Sequence, residues 1–313
     1  MVNFVLTRIL SALPIVPIVS VIVFLLIHAG GSDPSRILAG DTASEEAIAA
    51  LRHHLALDQP LYRQFAVWFE RLLHGDFGSS IFYQRPIIDL VLDRVGATLA
   101  LAVGVIFLAV AVGVPLGAVT AMSLGSRLDR SLTAIASVGF SLPIFLVAYA
   151  LVYIFALRLG WLPVQGYVFP AESIAGFLRS LILPVMTLGL FYISLFARVT
   201  RATVSEILRQ DYIKTAAAKG ATPGRILFAH ALRVAAAPLL TLTGTTFAGL
   251  LGGLVVTESL YNIPGLGRLV SEAILKRDFP IIQGLVLITS VFYVSFNLLI
   301  DLLCALIDPR GAR

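Results

Sequence analysis

An apolar run of 17 residues, 181–197 (LILPVMTLGLFYISLFA), leads directly into a basic segment, 198–233 (RVTRATVSEILRQDYIKTAAAKGATPGRILFAHALR). The first stretch has no Lys, Arg, Asp or Glu, whereas the second has seven Lys and Arg residues. A helix of about 20 apolar residues spans about 30 Å of hydrocarbon, and basic residues concentrate in cytoplasmic connections. This boundary therefore predicts a membrane helix that emerges on the cytoplasmic side.

Five more uncharged apolar runs occur along the 313 residues. They are 9–29, 95–124, 132–157, 234–257 and 281–300. Charged residues make up only 13% of the chain, against about 25% in soluble domains. The net charge of +5 does not indicate nucleic-acid binding, because the basic residues form no single stripe interleaved with aromatics. We expect an all-α integral membrane protein with six transmembrane helices.

The distribution of Lys and Arg residues predicts that both termini lie in the cytoplasm. With that orientation, twelve basic residues face inward and only five lie in the short outer loops. The inward residues are Arg8, Arg127, Arg130, Arg198, Arg201, Arg209, Lys214, Lys219, Arg225, Arg233, Arg310 and Arg313. The outer residues are Arg158, Arg179, Arg268, Lys276 and Arg277.

The chain divides into an N-terminal part, 1–94, and a core of five membrane helices, 95–313. The first run is longer than the core of a signal peptide and has no cleavage motif, so we interpret it as a retained helix. A partly helical periplasmic insert, residues 30–94, follows it. Thr42-x-x-Glu45 predicts a helix to about His54, and a second helix follows Pro60. The apolar face of the second helix is expected either in the membrane interface or packed on the helical bundle.

The 198–233 segment has the composition of a short presented helix. Strong helix formers precede Gly220, a natural helix stop, and Asp211 is positioned to cap the helix. Small residues at 216–218 would let a partner surface approach closely. An ordinary basic connection is the alternative that these residues alone leave open.

The segment resembles the EAA loop of ABC-importer permeases. Lys214-Thr215-Ala216, Gly220 and the apolar patch at 230–232 occupy its positions, with Lys and Thr where the general pattern has Glu and Ala. That departure is typical of the dipeptide, oligopeptide and nickel branch. Other segments similar to that branch are 57–62 (LDQPLY), 75–78 (GDFG), 261–268 (YNIPGLGR), 277–280 (RDFP) and 308–310 (DPR).

The resemblance implies a permease subunit that imports solute by alternating access. Its partners would be a second homologous permease, two cytoplasmic ATPase subunits and a periplasmic or lipid-anchored solute-binding protein, with no nucleic acid. The loop would form a coupling helix that docks on an ATPase. The residues expected at that contact are Asp211, Tyr212, Thr215, Ala216, Ala217 and Gly220. We expect a short peptide as the solute; nickel chelates, glutathione and opine-like conjugates are the alternatives.

The chain itself is not expected to be an enzyme or to hold a cofactor. It contains no G-x-x-x-x-G-K-[ST] phosphate loop, so ATP and magnesium would bind to the partner subunits. An intramembrane hydrolase would need a base within reach of a serine, and no His lies well inside an apolar run. A self-contained carrier would be expected to show more intramembrane charges or repeated halves.

Three further groups are candidates for structural or functional roles. Two small-xxx-small pairs allow close helix packing, within the chain or against a sister permease. The pairs are Gly113 with Gly117 and Gly249 with Gly253. Glu258 and Asn262 follow an apolar run and are candidates for an outer vestibule, with a simple turn as the alternative. Asp301, an acid in the extension of the last run, is expected to have a structural role.

Overall fold

The computed structural model of the chain describes residues 8, 10, 14–29, 44–46, 49, 53 and 58–307. Across these described residues the regular structure is helical, apart from one isolated bridge that pairs Ser79 with Pro86. The predicted all-α class is therefore confirmed. The helix predicted from Thr42 to about His54 lies largely outside the described residues.

The longest helix in the described part of the chain has 35 residues, and several have fewer than ten. In chain order the helices are α1 Ile15–Ala29, α2 Leu61–Leu73, α3 Ile87–Leu108, α4 Val114–Met122, α5 Arg127–Ser141, α6 Ile144–Leu151, α7 Ile174–Leu208, α8 Asp211–Ala218, α9 Leu232–Leu260, α10 Leu266–Lys276 and α11 Phe279–Ile307. Wider π-helical turns join or extend some of them, at Ala109–Gly113, Val152–Arg158 and Ile226–Ala231. The first of these turns lies just before Pro115, which lacks the N–H that a regular helix would use.

Four helical stretches are long and apolar enough to cross a membrane. They are Ile87–Met122, Ile174–Leu208, Pro223–Leu260 and Phe279–Leu306. A bent pair of helices gives a fifth candidate span. The first predicted run is described in part as α1, in which the apolar stretch Ile15–Leu25 is shorter than a span among the described residues. The chain is thus a multi-span helical protein, and the number six stays a prediction.

The run at 132–157 was expected to be one helix, and that expectation is wrong. The structure breaks it into two helices, Arg127–Ser141 and Ile144–Arg158, with a bend of 102° between them. Leu142 and Pro143 adopt extended conformations, with ψ of 133° and 136°. Proline disfavours a helical conformation in the residue before it and cannot donate its own backbone hydrogen bond. The run therefore forms two short helices around Pro143.

Helix α7 is central to the first of two compact units, which comprises the described residues of 96–268 and 296–313. Helices α4, α5, α6 and α9 all contact it. Its side chains Leu183, Leu188 and Phe196 are at most 1% exposed. Packing around α7 therefore fixes the positions of the helices that carry the 198–233 segment.

The second unit comprises the described residues of 2–95 and 269–295. In it, the apolar face of α2 contacts α1, because the rings of Phe65 and Trp68 lie 5.3 and 5.8 Å from that of Phe24. Packing on a predicted membrane helix is thus the arrangement that the contacts show for this face. Elsewhere in the unit, the buried carboxylate of Asp278 accepts hydrogen bonds from the Ser80 hydroxyl and the Phe82 N–H, at 2.6 and 3.0 Å.

Candidate functional site: the 198–233 segment

Helix α7 continues beyond the predicted apolar run to Leu208, and α8 begins three residues later at Asp211. The structure corrects the expected cap. Gln210 occupies the capping position without a side-chain hydrogen bond, and Asp211 is the first helical residue. The Asp211 carboxylate instead lies 2.8 Å from the Lys214 ammonium, in an exposed ion pair. A negative charge in the first helical turn still interacts favourably with the helix dipole.

Helix α8 ends at the predicted glycine. Gly220 has a φ of +84°, which an L side chain rarely adopts. The Gly220 N–H donates to the Ala217 carbonyl at 2.9 Å, and the Ala221 N–H donates to the Ala216 carbonyl at 3.1 Å. This pair of bonds is the Schellman arrangement, which satisfies carbonyls that the helix end leaves free.

One side chain anchors α8 to the rest of its unit. Ile213 is 5% exposed and packs in an apolar cluster with Val204 and Ile207 of α7. Ala216 is half-buried. The other expected contact residues are exposed: Asp211, Tyr212, Thr215, Ala217 and Gly220. The segment is therefore an ordered helix that presents most of its surface, and its contact with an ATPase stays a prediction.

The chain returns from α8 to the same apolar cluster. Thr222 caps a single helical turn, Pro223–Arg225, by accepting a hydrogen bond from the Arg225 N–H at 3.4 Å. Ile226 and Ala231 in the following turn are buried in the cluster with Ile213. Both sides of α8 are thus tied to one core, so that the helix is held at the end of a compact hairpin.

An ion pair next to this hairpin was missed by the sequence reasoning. Arg201 of α7 donates to both carboxylate oxygens of Asp129 on α5, at 2.7 and 2.9 Å. Asp129 is 3% exposed. The available signal was an acid inside a short basic loop, between Arg127 and Arg130, but the sequence does not say which of the many arginines it meets.

A cleft of about 740 Å³ opens beside the ion pair. Its lining residues are Leu124, Gly125, Asp129, Arg130, Arg201, Ala202, Ser205, Glu206 and Arg209. Within the described part of the chain, neither Arg130 nor Arg209 forms an ion pair. The cleft therefore carries positive charge close to α8, because Arg209 lies two residues before that helix.

The two vestibule candidates lie in the last turn of α9 and just beyond its end. Glu258 is fully buried, and its carboxylate accepts hydrogen bonds from the Thr98 hydroxyl at 2.7 Å and the Arg268 N–H at 2.9 Å. Thr98 also accepts the Leu266 N–H at 2.8 Å. Since these N–H groups open α10, Glu258 and Thr98 cap that helix from other parts of the chain. We call residues 258–268 the Glu258 turn.

The other vestibule candidate lies on the surface of the same turn. Asn262 is exposed, has a φ of +54°, and accepts a hydrogen bond from the Arg268 guanidinium. Glu258 is therefore enclosed within the turn in this structure, and a vestibule role for either residue stays a prediction. Asp301 is half-buried in α11.

The predicted small-residue pairs all lie against α7. A Cβ added at Gly113 would meet the Ile193 carbonyl at 2.7 Å, and one at Gly117 would meet the Ala197 carbonyl at 2.4 Å. Gly249 and Gly253 face Tyr192 and Leu188, respectively, at 3.3 and 3.0 Å from the corresponding Cβ positions. These contacts are made within the chain. A contact of the same glycines with a sister permease stays a prediction.

Several apolar helices and an ordered basic hairpin at the end of the central helix together define the class of multi-span helical membrane proteins. Comparison with known protein families identifies the family within this class. Residues 113–313 match the family described as "Binding-protein-dependent transport system inner membrane component". Residues 1–102 match the corresponding N-terminal family. The chain belongs to this family, the permease subunits of ABC importers.

Relatives of similar length support the same assignment. The chain is 43% identical over 307 residues to the probable peptide ABC transporter permease protein y4tP of Sinorhizobium fredii, and the match covers 98% of each chain. It is 39% identical over 309 residues to the glutathione transport system permease protein GsiC of Escherichia coli, covering 99% of this chain and 98% of GsiC.

A solved structure shows the same fold. An inward-facing structure of the MetNI methionine ABC transporter matches with a TM-score of 0.59 at 18% identity. The match covers 70% of this chain and 96% of the other. At this level of identity the likeness concerns the fold alone.

Proposed function

We propose that this permease imports short peptides across the inner membrane. The observation that carries the proposal is the 43% identity to a peptide ABC transporter permease over 98% of both chains. A likeness that extends over the whole chain includes the helices as well as the connecting segments, so it is more informative than any one motif.

The membrane topology that we propose has six spans with both termini in the cytoplasm. Its support is the charge asymmetry of the connections, since twelve Lys and Arg residues fall on the inner side and five in the short outer loops. In this orientation α8 lies in the cytoplasm, at the tip of a helix that extends beyond the apolar run.

We further propose that α8 is the coupling helix. Its exposed face, the glycine stop and the anchor through Ile213 give a rigid, presented helix that can fit a groove on a partner. ATP would bind with magnesium to the partner ATPases, and this chain would hold no cofactor. Because ATP favours one arrangement of the ATPase pair, it would shift the attached permeases between inward-facing and outward-facing states.

The working assembly would contain this chain, a second homologous permease, two ATPase subunits and an external solute-binding protein. Specificity is expected to lie largely in the binding protein. Glutathione is a second candidate solute, favoured by the 39% identity to GsiC. Nickel chelates and opine-like conjugates are further alternatives that no relative described above supports.

Reconstitution tests these proposals. The permease alone in liposomes is expected to move no peptide, and uptake is expected only when both ATPases, the second permease and the binding protein are present. Labelled di- and tripeptides and glutathione, offered separately, would identify the solute class. Peptide movement by the isolated chain, or uptake of neither peptides nor glutathione by the full assembly, would contradict the proposed function.

A further inference from the structure

A single buried carboxylate joins three segments near the coupling helix. Asp129 accepts two hydrogen bonds from Arg201, one from the Gly125 N–H at 2.9 Å and one from the Thr133 hydroxyl at 3.3 Å. Gly125 lies in the connection after α4, Thr133 on α5 and Arg201 on α7. The two-point contact between a guanidinium and a carboxylate fixes direction as well as distance, so α5 is held to α7 in one orientation.

Close packing of α4 against α7 near Arg201 leaves little room for the two helices to slide past each other. A Cβ at Gly117 would lie 2.4 Å from the Ala197 carbonyl and 2.6 Å from the Thr200 Cβ. Four residues further along α7, Arg201 meets Asp129. The contacts therefore combine close backbone packing on one side of the ion pair with a directional hydrogen-bonded bridge.

Helix α8 is attached to these same helices. Ile213 shares its apolar cluster with Ala121 of α4 and with Val204 and Ile207 of α7. A displacement of α8 would therefore reach α4 and α7 through packing. It would reach α5, the first limb of the bent pair, through the packing of α5 on α7 and, near the start of α5, through the Asp129–Arg201 bridge.

We propose that the Asp129–Arg201 pair is a positioning element of transport, which makes α5 follow α7 and α8 when the ATPase subunits move α8. This inference rests on the proposed coupling function of α8. Without the bridge, α5 and α7 would shift against each other, and part of the displacement would be lost before it reached the bent pair. ATP would still be hydrolysed, but less solute would move for each ATP.

The test is the ratio of solute imported to ATP hydrolysed in the full assembly reconstituted in liposomes. Asp129→Asn and Arg201→Gln are each expected to lower the ratio about fivefold or more, the range of typical coupling between sites. The double variant should be no lower than the worse single variant, because both changes remove one interaction. A wild-type ratio in both single variants would overturn the proposal.

Arg201→Lys keeps the positive charge but loses the planar two-point contact, so an intermediate ratio is expected. If Asp129→Asn does not assemble, Arg201→Lys serves as the test in its place. A wild-type ratio of solute to ATP in Arg201→Lys would then overturn the proposal. The matched controls are Arg130→Gln and Arg209→Gln, which remove a charge from the same cleft without touching the bridge. A loss of the same size in these controls would assign the effect to the charge of the cleft, and the proposal would be wrong.

The failure of this inference can be told apart from a failure of the coupling role. The Asp129 and Arg201 variants are expected to retain their ATPase subunits through purification. Ala217→Arg, on the exposed face of α8, is expected to lose them. Normal ATPase binding and uptake with Ala217→Arg would reject the role of α8 itself, whatever the ratio measured for Asp129→Asn.

Discussion

The Glu258 turn and helix α8, the proposed coupling helix, are both short polar segments next to long apolar helices, but the first is held by buried hydrogen bonds and the second by a single buried side chain. The carboxylate of Glu258 is fully buried, and it is bound by groups from α3 and from the start of α10. In α8 only Ile213 is buried, and Tyr212 is 42% exposed. A buried polar group must have its partners, whereas an exposed helix keeps its surface free for another molecule.

This difference predicts where substitutions act. Changes in the Glu258 turn should lower the stability of the permease, since the polar partners would be left in the interior without solvent. Changes on the exposed face of α8 should leave stability nearly unchanged and alter the function instead. Each of the following substitutions has a counterpart in the other region or elsewhere on the surface.

The largest effect on stability is expected for Gly265→Ala. The added Cβ would lie 2.1 Å from the carboxyl carbon of Glu258, so either the turn or the carboxylate must move. Overpacking of this kind costs about 1–3 kcal/mol, and we expect the upper end. Thermal unfolding of the purified permease in detergent measures this loss of stability.

The control is Gly224→Ala in the 198–233 segment. It has no atom within 4 Å of its Cβ, so its melting temperature should match the wild type. Equal melting temperatures for the two variants would contradict the close packing of Gly265 against the Glu258 carboxylate.

Glu258→Gln should have the next largest effect. The amide retains one oxygen acceptor but turns an NH₂ group toward donors, so either the Thr98 hydroxyl or the Arg268 N–H loses its bond. We expect a loss of about 2 kcal/mol, again by thermal unfolding. The counterpart is Asp211→Asn in α8, where the carboxylate is exposed and its ion pair contributes little. A greater loss for Asp211→Asn than for Glu258→Gln would reverse the comparison.

The sequence predicts helix α8 and its end well because the signals are local. Helix formers, a glycine stop and a basic flank all lie within 36 residues, and the expected stop at Gly220 has the φ that requires glycine. Four of the six apolar runs lie in helical stretches long enough to span a membrane, since composition alone defines such runs. The break at Pro143 was missed because the sequence shows a proline in most of the runs, and Pro184 and Pro238 remain inside continuous helices.

The Glu258 turn and the Asp129–Arg201 bridge could not be predicted because their partners are distant in the chain. Thr98 lies 160 residues before Glu258, and Asp129 lies 72 residues before Arg201. A single acid in a polar connection gives no indication of its partner, and an exposed position was the ordinary expectation for Glu258. Only the folded arrangement shows that these carboxylates are buried.

Gly220→Ala is expected to have a smaller and local effect. The left-handed conformation costs an L residue about 1–2 kcal/mol, which the end of α8 would avoid by fraying. Hydrogen exchange of the backbone amides of 216–221 should become faster, while the amides of α7 keep their protection. Gly224→Ala is the control, because its backbone does not have a positive φ. Unchanged exchange at 216–221 would show that the glycine stop does not hold the helix.

Ala217→Arg should have almost no effect on stability and the clearest effect on transport. Ala217 is exposed on α8, so the long side chain extends into solvent and the melting temperature should stay at the wild-type value. Arginine also favours helix, and the segment is already basic, so neither helix propensity nor a reversed charge would explain a loss of function.

A docked partner, however, would meet six additional side-chain atoms where a methyl group now lies. We expect the ATPase subunits to be lost on purification and uptake to be abolished. Ala66→Arg, at a position on α2 that is also exposed, should change neither ATPase retention nor uptake. Because the folded chain would be the same in both variants, a difference between them can only come from a surface that another subunit covers.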